Sequence, residues 1–144
     1  MKVSDVMTQK VEIARPGDTL QAAAQTMARI DSGMLPVGDN DRLVGIITDR
    51  DIAIRGAGEG KDPTRTCVRD VMTAEVKYVF EDDEVSEVAE NMAQLQVRRL
   101  PVVNRDKRLC GIISLADIAR QQSTREAGEA LQGIARPGGQ HSQH

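Results

Sequence analysis

The chain has 144 residues, with 19 Lys and Arg against 22 Asp and Glu, two Cys, one Tyr, one Phe and no Trp, which excludes a large catalytic barrel and leaves one compact domain or two very small ones. Aromatic residues at 1% confine the core to Val, Ile, Leu, Met and Ala, and exclude the stacking platform that grips single-stranded nucleic acid. A formal net charge of −3 gives no overall attraction to polyanions or to an anionic membrane surface.

The opening residues MKVSDVMTQKVE carry no apolar targeting segment, and no run is long enough to span a bilayer, so a cytoplasmic protein with no membrane partner is expected. Residues 11–13 read as a short strand. Leu20, Ala23, Ala24, Met27 and Ile30 recur at helical spacing behind the N-cap candidates Asp18 and Thr19, predicting an amphipathic helix over 19–31. The runs 34–37 and 43–48 flank Gly38-Asp39-Asn40-Asp41 and predict a hairpin. Thr48 then stands at the N-cap of a second helix carrying Ile52 and Ile54. Gly56, Gly58, Gly60 and Pro63 mark a linker loop. Beyond it the same order returns: a strand over 76–79, a helix bearing Val85, Val88, Ala89, Met92 and Leu95, strands over 99–103 and 109–114, and Ser114 heading a helix with Ile118. A short added helix is predicted over 123–131, followed by a tail whose composition reads as disordered.

The elements recur because the sequence does. Val3-Ser4-Asp5-Val6-Met7-Thr8 returns as Val68-Arg69-Asp70-Val71-Met72-Thr73, and Leu35-Pro36-Val37 as Leu100-Pro101-Val102. After one inserted residue, Leu43-Val44-Gly45-Ile46-Ile47-Thr48 matches Leu109-Cys110-Gly111-Ile112-Ile113-Ser114, and Asp51-Ile52-Ala53 matches Asp117-Ile118-Ala119. The copies span 3–55 and 68–120, so the expected organisation is repeat one with the start of the linker in 1–60, repeat two in 61–121 and an extension in 122–144. A unit of this size buries too little surface to be more than marginally stable alone, so the two copies should pack together. The expected fold is therefore α/β (α+β), with tandem β-α-β-β-α repeats packed around a pseudo-twofold axis and sites arising in pairs.

Asp-Val-Met-Thr, a helix, Leu-Pro-Val, and Gly-Ile-Ile-(Thr/Ser)-x-x-Asp, twice in the same order over about residues 1–121, resemble the cystathionine β-synthase (CBS) domain pair, or Bateman module. Thr-Asp-Arg-Asp-Ile and Arg-Arg-Leu-Pro-Val-Val are similar to segments of stand-alone bacterial two-CBS proteins, including stress- or hypoxia-induced ones. The resemblance implies a regulatory or sensor module whose ligand is an adenine nucleotide, AMP or ATP first and NAD or S-adenosylmethionine behind, with no cofactor required. It also implies a flat homodimer and an unidentified downstream protein.

The residues fit such a ligand. At Gly45-Ile46-Ile47-Thr48-Asp49-Arg50-Asp51 a strand ends at a helix N-terminus, where free N–H groups favour an anion. Asp51, three residues past Thr48, suits the hydroxyls of a ribose. The resemblance assigns phosphate and ribose roles to Thr48 and Asp51, and to Ser114 and Asp117, although Ser, Thr and Asp are also common caps for structural reasons alone. Arg98 and Arg99, just before Leu100-Pro101, offer a phosphate-binding fork, whereas the matching Gly33 and Met34 carry no charge. The family arrangement then implies two unequal clefts. One combines Ile46, Thr48 and Asp51 with Val76, Arg98, Arg99 and Pro101; the other combines Ile112, Ser114 and Asp117 with Lys10, Val11, Met34 and Pro36. Phosphate-bearing ligands are expected to prefer the first, against the opposing charge of Asp49. Adenine would rest on aliphatic walls.

Other residues read as structural. Tyr78 and five of the six methionines, Met7, Met27, Met34, Met72 and Met92, are expected in the core. Cys67 and Cys110 lack metal-ligand spacing and read as reduced thiols, with a redox disulfide as the alternative. His141 and His144 sit in the tail, no nucleophile-base constellation is present, and neither catalysis nor a metal site is expected. Two rival readings remain: a ligand-free interaction or stress protein, and a nucleic-acid binder resting on Arg98, Arg99, Arg105, Lys107 and Arg108.

Overall fold

The computed structural model describes residues 1–121 and 124–135, with 124–127 described by backbone alone. The expected tail and its histidines lie outside the described residues. Helices and strands are mixed in chain order: α1 (Val3–Val6), α2 (Leu20–Ile30), β1 (Met34–Asp39), β2 (Arg42–Thr48), α3 (Asp49–Asp51), β3 (Val79–Phe80), α4 (Val85–Leu95), β4 (Arg99–Val103), β5 (Leu109–Ser114), α5 (Leu115–Gln121) and α6 (Thr124–Ile134). No helix among the described residues is long and apolar enough to cross a membrane.

Local chemistry sets these bounds. Thr19 caps α2 by accepting from the Ala22 N–H at 3.1 Å. The helix stops at Asp31 in the left-handed conformation, and α4 stops the same way at Gln96. β1 and β2 join through Asn40 and Asp41, both at positive φ, as a two-residue hairpin turn demands. The second hairpin, one residue longer, closes over Asn104, whose side-chain oxygen accepts from the N–H groups of Asp106 and Arg108 at 3.0 Å each.

Two expectations are corrected. No strand forms over 11–13; the chain pairs instead at Ala14, parallel to Val37, and its counterpart is the two-residue β3, where Val79 faces Val102. Pairing in the first copy thus falls one residue beyond the stretch that apolar content suggested, because backbone register decides it. The glycines of the expected linker loop do not all lie in a loop. After α3 the helix widens into a π turn over Ile52–Gly56 and tightens into a 3₁₀ turn over Ala57–Glu59, with Gly60 reversing at φ 74°. Gly56 is buried against Leu20, whose Cδ1 would stand 2.9 Å from any added Cβ, so glycine fits there without displacing it.

The chain forms two units. One comprises Glu12–Val76, and the other joins Met1–Val11 to the chain from Lys77 onward. The leading segment of each repeat is therefore built into the core of the other repeat's body. In the Glu12–Val76 unit, Val68 and Val71 pack with Leu20, Ala23, Met27, Leu35, Val37 and Ile47. In the second, Val3 and Val6 pack with Val85, Val88, Met92, Leu100, Val102, Ile113 and Ile118. Backbone hydrogen bonds repeat the exchange: Val68 N–H to Asp18 O at 2.8 Å, and Val3 N–H to Asp83 O at 2.9 Å. The added helix forms as α6 and runs on to Ile134, burying Ala130 in the second core.

Candidate functional site

Each hairpin delivers its last residue to a helix start. Thr48 Oγ1 accepts from the Asp51 N–H at 3.0 Å while Asp51 Oδ2 accepts from the Thr48 N–H at 3.1 Å. Ser114 and Asp117 repeat both bonds, at 3.1 and 2.9 Å. These are reciprocal capping boxes, with Asp in the place usually held by Glu or Gln. Among the described residues the buried polar ones are Thr48, Asp51 and Asp117, at 2%, 4% and 4% exposure. The motifs singled out in the sequence are thus where the fold places its buried polarity. A buried carboxylate is costly unless it is hydrogen-bonded and paired.

The Asp51 carboxyl is held above the usual carboxylate range because burial penalises its charge; the Thr48 hydrogen bonds, then Arg55 and Arg50, work in the opposite direction. Arg55 stands 3.7 Å from Asp51 Oδ1. Arg120 hydrogen-bonds Asp117 Oδ1 directly.

The other singled-out residues fall within one unit or the other. In the Glu12–Val76 unit, Met34 lies in register with Thr48 and Pro36 with Ile46. Met34, Pro36 and Ile46 are buried, and Val76 is half-buried. In the second unit Arg99 is in register with Ser114 and Pro101 with Ile112. There Arg98 and Lys10 are exposed, Arg99, Val11 and Ile112 half-buried, and Pro101 buried. The Arg98 carbonyl accepts from the Leu115 N–H at 2.8 Å, and the Gly33 carbonyl from the Asp49 N–H at 2.9 Å. The residue just before β1 and the one just before β4 are thereby stitched to the helix start that follows their own hairpin.

Tyr78 is not a core residue. It is 40% exposed and meets Phe80 edge-on at 5.7 Å. Phe80 in turn carries the Arg105 guanidinium 4.2 Å above its ring, and Arg105 forms a two-bond ion pair with Asp82. Arg105 therefore has local partners that the chain's basic run did not reveal. Of those five methionines, Met27, Met34 and Met92 are buried, while Met7 and Met72 are half-buried. Both cysteines are free thiols. Burial first, and Glu81 second, push the Cys110 thiol up to about 11. Among the described residues no three His, Cys, Asp or Glu side chains gather as a metal site.

The sequence pattern of the CBS domain family matches residues 3–57 and 68–123. The chain belongs to the CBS domain family. As a CBS domain pair it is 39% identical over 134 residues to the CBS domain-containing protein YhcV of Bacillus subtilis, covering 92% of this chain and 94% of that one. It is 38% identical over 134 residues to hypoxic response protein 1 of Mycobacterium tuberculosis, covering 92% and 93%. Among solved structures, hypoxic response protein I with two coordinated zinc ions matches at 40% identity and a TM-score of 0.78, over 85% of this chain and 100% of that one. The CBS domain pair of protein MJ0100 with 5′-methylthioadenosine and S-adenosyl-L-methionine matches at 30% and 0.73, over 83% and 94%. CBSX2 in complex with AMP matches at 28% and 0.72, over 83% and 93%. The α+β architecture of this CBS pair is that of its structural neighbours.

Proposed function

We propose that this CBS pair is a non-catalytic regulatory module that binds an adenine nucleotide, AMP or ATP before NAD or S-adenosylmethionine, at its Thr48–Asp51 and Ser114–Asp117 elements. The observation that carries the reading is the duplicated buried carboxylate: Asp51 and Asp117, each 4% exposed, each at a strand-to-helix corner beside a Thr or Ser hydroxyl. Ribose hydroxyls donate to such a carboxylate, and the cap hydroxyl can donate to a phosphate oxygen. Support also comes from structural neighbours whose complexes hold AMP, 5′-methylthioadenosine and S-adenosyl-L-methionine. Pairing into a homodimer through the helices after Thr48 and Ser114, where Ile54 is half-exposed, is part of the same proposal and rests on the family resemblance.

A second reading is favoured by one observation. In each box the cap N–H, the cap hydroxyl, the Asp N–H and Asp Oδ2 bond one another without a ligand, as they would in a ligand-free interaction protein. A thermal-shift panel of AMP, ADP, ATP, NAD and S-adenosylmethionine separates the two. A ligand bound only by the folded state at a hundred times its Kd adds about 2.7 kcal/mol, which is a rise of several degrees. A flat response to the whole panel leaves the ligand-free reading.

A further inference from the structure

The two capping boxes are alike in every bond but one, and the difference lies in where each repeat puts its arginine. Asp51 and Asp117 both spend Oδ2 on the cap N–H. In the second repeat Asp117 Oδ1 is already taken, since Arg120, one turn on, donates to it. In the first repeat the aligned position is Ile54, and the arginine follows one residue later as Arg55, whose own counterpart is Gln121.

That shift, combined with the widened π turn over Ile52–Gly56, sends the Arg55 guanidinium elsewhere. It donates to the carbonyls of Val71 and Met72 at 3.1 and 3.2 Å and to Thr73 Oγ1 at 3.4 Å. It stays 3.7 Å from Asp51 Oδ1, too far for a hydrogen bond. Among the described residues Asp51 Oδ1 accepts no hydrogen bond. It is therefore an open acceptor on a side chain only 5% exposed, and a buried acceptor without a donor is a standing cost that a ligand hydroxyl can remove.

We infer that the two elements differ in readiness: Asp51 is open to a ligand hydroxyl, whereas Asp117 is closed by Arg120, which occupies the oxygen a ribose would use. The inference rests on the reading that adenine nucleotides bind at these carboxylates. Arg120 is then a specificity-determining residue that lowers the second site's affinity, because the ligand must first displace it. Its side chain is 66% exposed, so displacement is possible and its cost modest, about three- to tenfold in Kd.

The test is a residue-resolved titration of the full chain with AMP, followed by the amide NMR signals of Thr48 and Asp51 for one site and of Ser114 and Asp117 for the other. The first pair is expected to shift at a three- to tenfold lower AMP concentration. Arg120→Gln should bring the second pair's midpoint down towards the first and leave the first unmoved. The register-shifting double variant I54R/R55Q should raise the midpoint of the first pair, with unliganded spectra confirming that it folds. Coincident midpoints in the wild-type chain, or a weaker second site in Arg120→Gln, would overturn this inference while leaving nucleotide binding intact. Absence of any AMP-dependent shift, in all variants and with ATP as well, would instead overturn the nucleotide reading and this inference with it.

Discussion

Ile46 and Thr73 exchange both backbone hydrogen bonds, at 2.9 and 2.8 Å, and Ile112 and Thr8 do the same at 3.0 and 2.8 Å. Each bridge fastens the leading segment of one repeat to the hairpin of the other, two residues before the cap that starts the candidate site. Glycine makes the approach possible. A side chain at Gly45 would meet Met72 Sδ at 2.7 Å and the Thr73 carbonyl at 3.0 Å, and one at Gly111 would meet Met7 Sδ at 2.6 Å and the Thr8 carbonyl at 2.8 Å.

Gly45→Ala and Gly111→Ala should therefore each destabilise the fold by about 1–3 kcal/mol, the usual cost of overpacking where backbone must shift. Urea denaturation reads this as a lower midpoint. A midpoint equal to wild type in both variants would show that the bridges do not hold the leading segments.

Asp51 gives a pH dependence of defined sign. Its folded-state pKa lies above that of an unfolded Asp, about 3.9, so the folded state binds more protons in the window between the two values. Stability contributed by this group is present at low pH and falls as pH rises through the raised value. Asp51→Asn keeps an acceptor for the Thr48 N–H and removes the titration. The wild-type minus variant difference in unfolding free energy should fall from pH 4 upward and then level off. A difference that rises with pH would mean that Arg55 and the cap outweigh burial.

Cys110 should behave as a protected thiol, hydrogen-bonded to the Val102 carbonyl at 3.4 Å and pushed up to about 11. In a Cys67→Ser background, alkylation by iodoacetamide should keep accelerating about tenfold per pH unit through pH 10, following the thiolate fraction. A rate that levels near about 8.5, the value for a free cysteine, would contradict this.

Gly133 on α6 lies against the backbone of Ala93 on α4, and its carbonyl accepts from Gln96 Nε2 at 2.9 Å. A methyl group there has no room. Gly133→Ala should lift α6 from α4, lower the melting temperature and speed amide exchange in 128–134. Unchanged exchange in that stretch would refute the contact.

Much of this was legible in the sequence. Apolar spacing marked the helices α2 and α4, Gly38-Asp39-Asn40-Asp41 announced a hairpin turn, and Thr48 stood out as an N-cap, because all of these depend on residues within a turn or two. What stayed hidden depends on partners distant in sequence. No composition says that Val68 and Val71 belong to the core of the first repeat's body, or that helical turns run on through a buried Gly56 into the expected linker. The pairing at Ala14 is a matter of backbone register, and Tyr78 is exposed although its type suggested burial. The arginine offset was visible, since alignment sets Ile54 against Arg120, but its meaning needed the positions of the Asp51 and Asp117 oxygens.

The most direct test of the central claim is calorimetric titration of AMP into the wild-type chain and into Asp51→Ala/Asp117→Ala, with circular dichroism confirming that the variant is folded. Saturable binding to the wild type and its loss in the double variant are the predicted results. Binding of equal affinity in the folded double variant would contradict the account, because the ligand would then be held by something other than the two buried carboxylates.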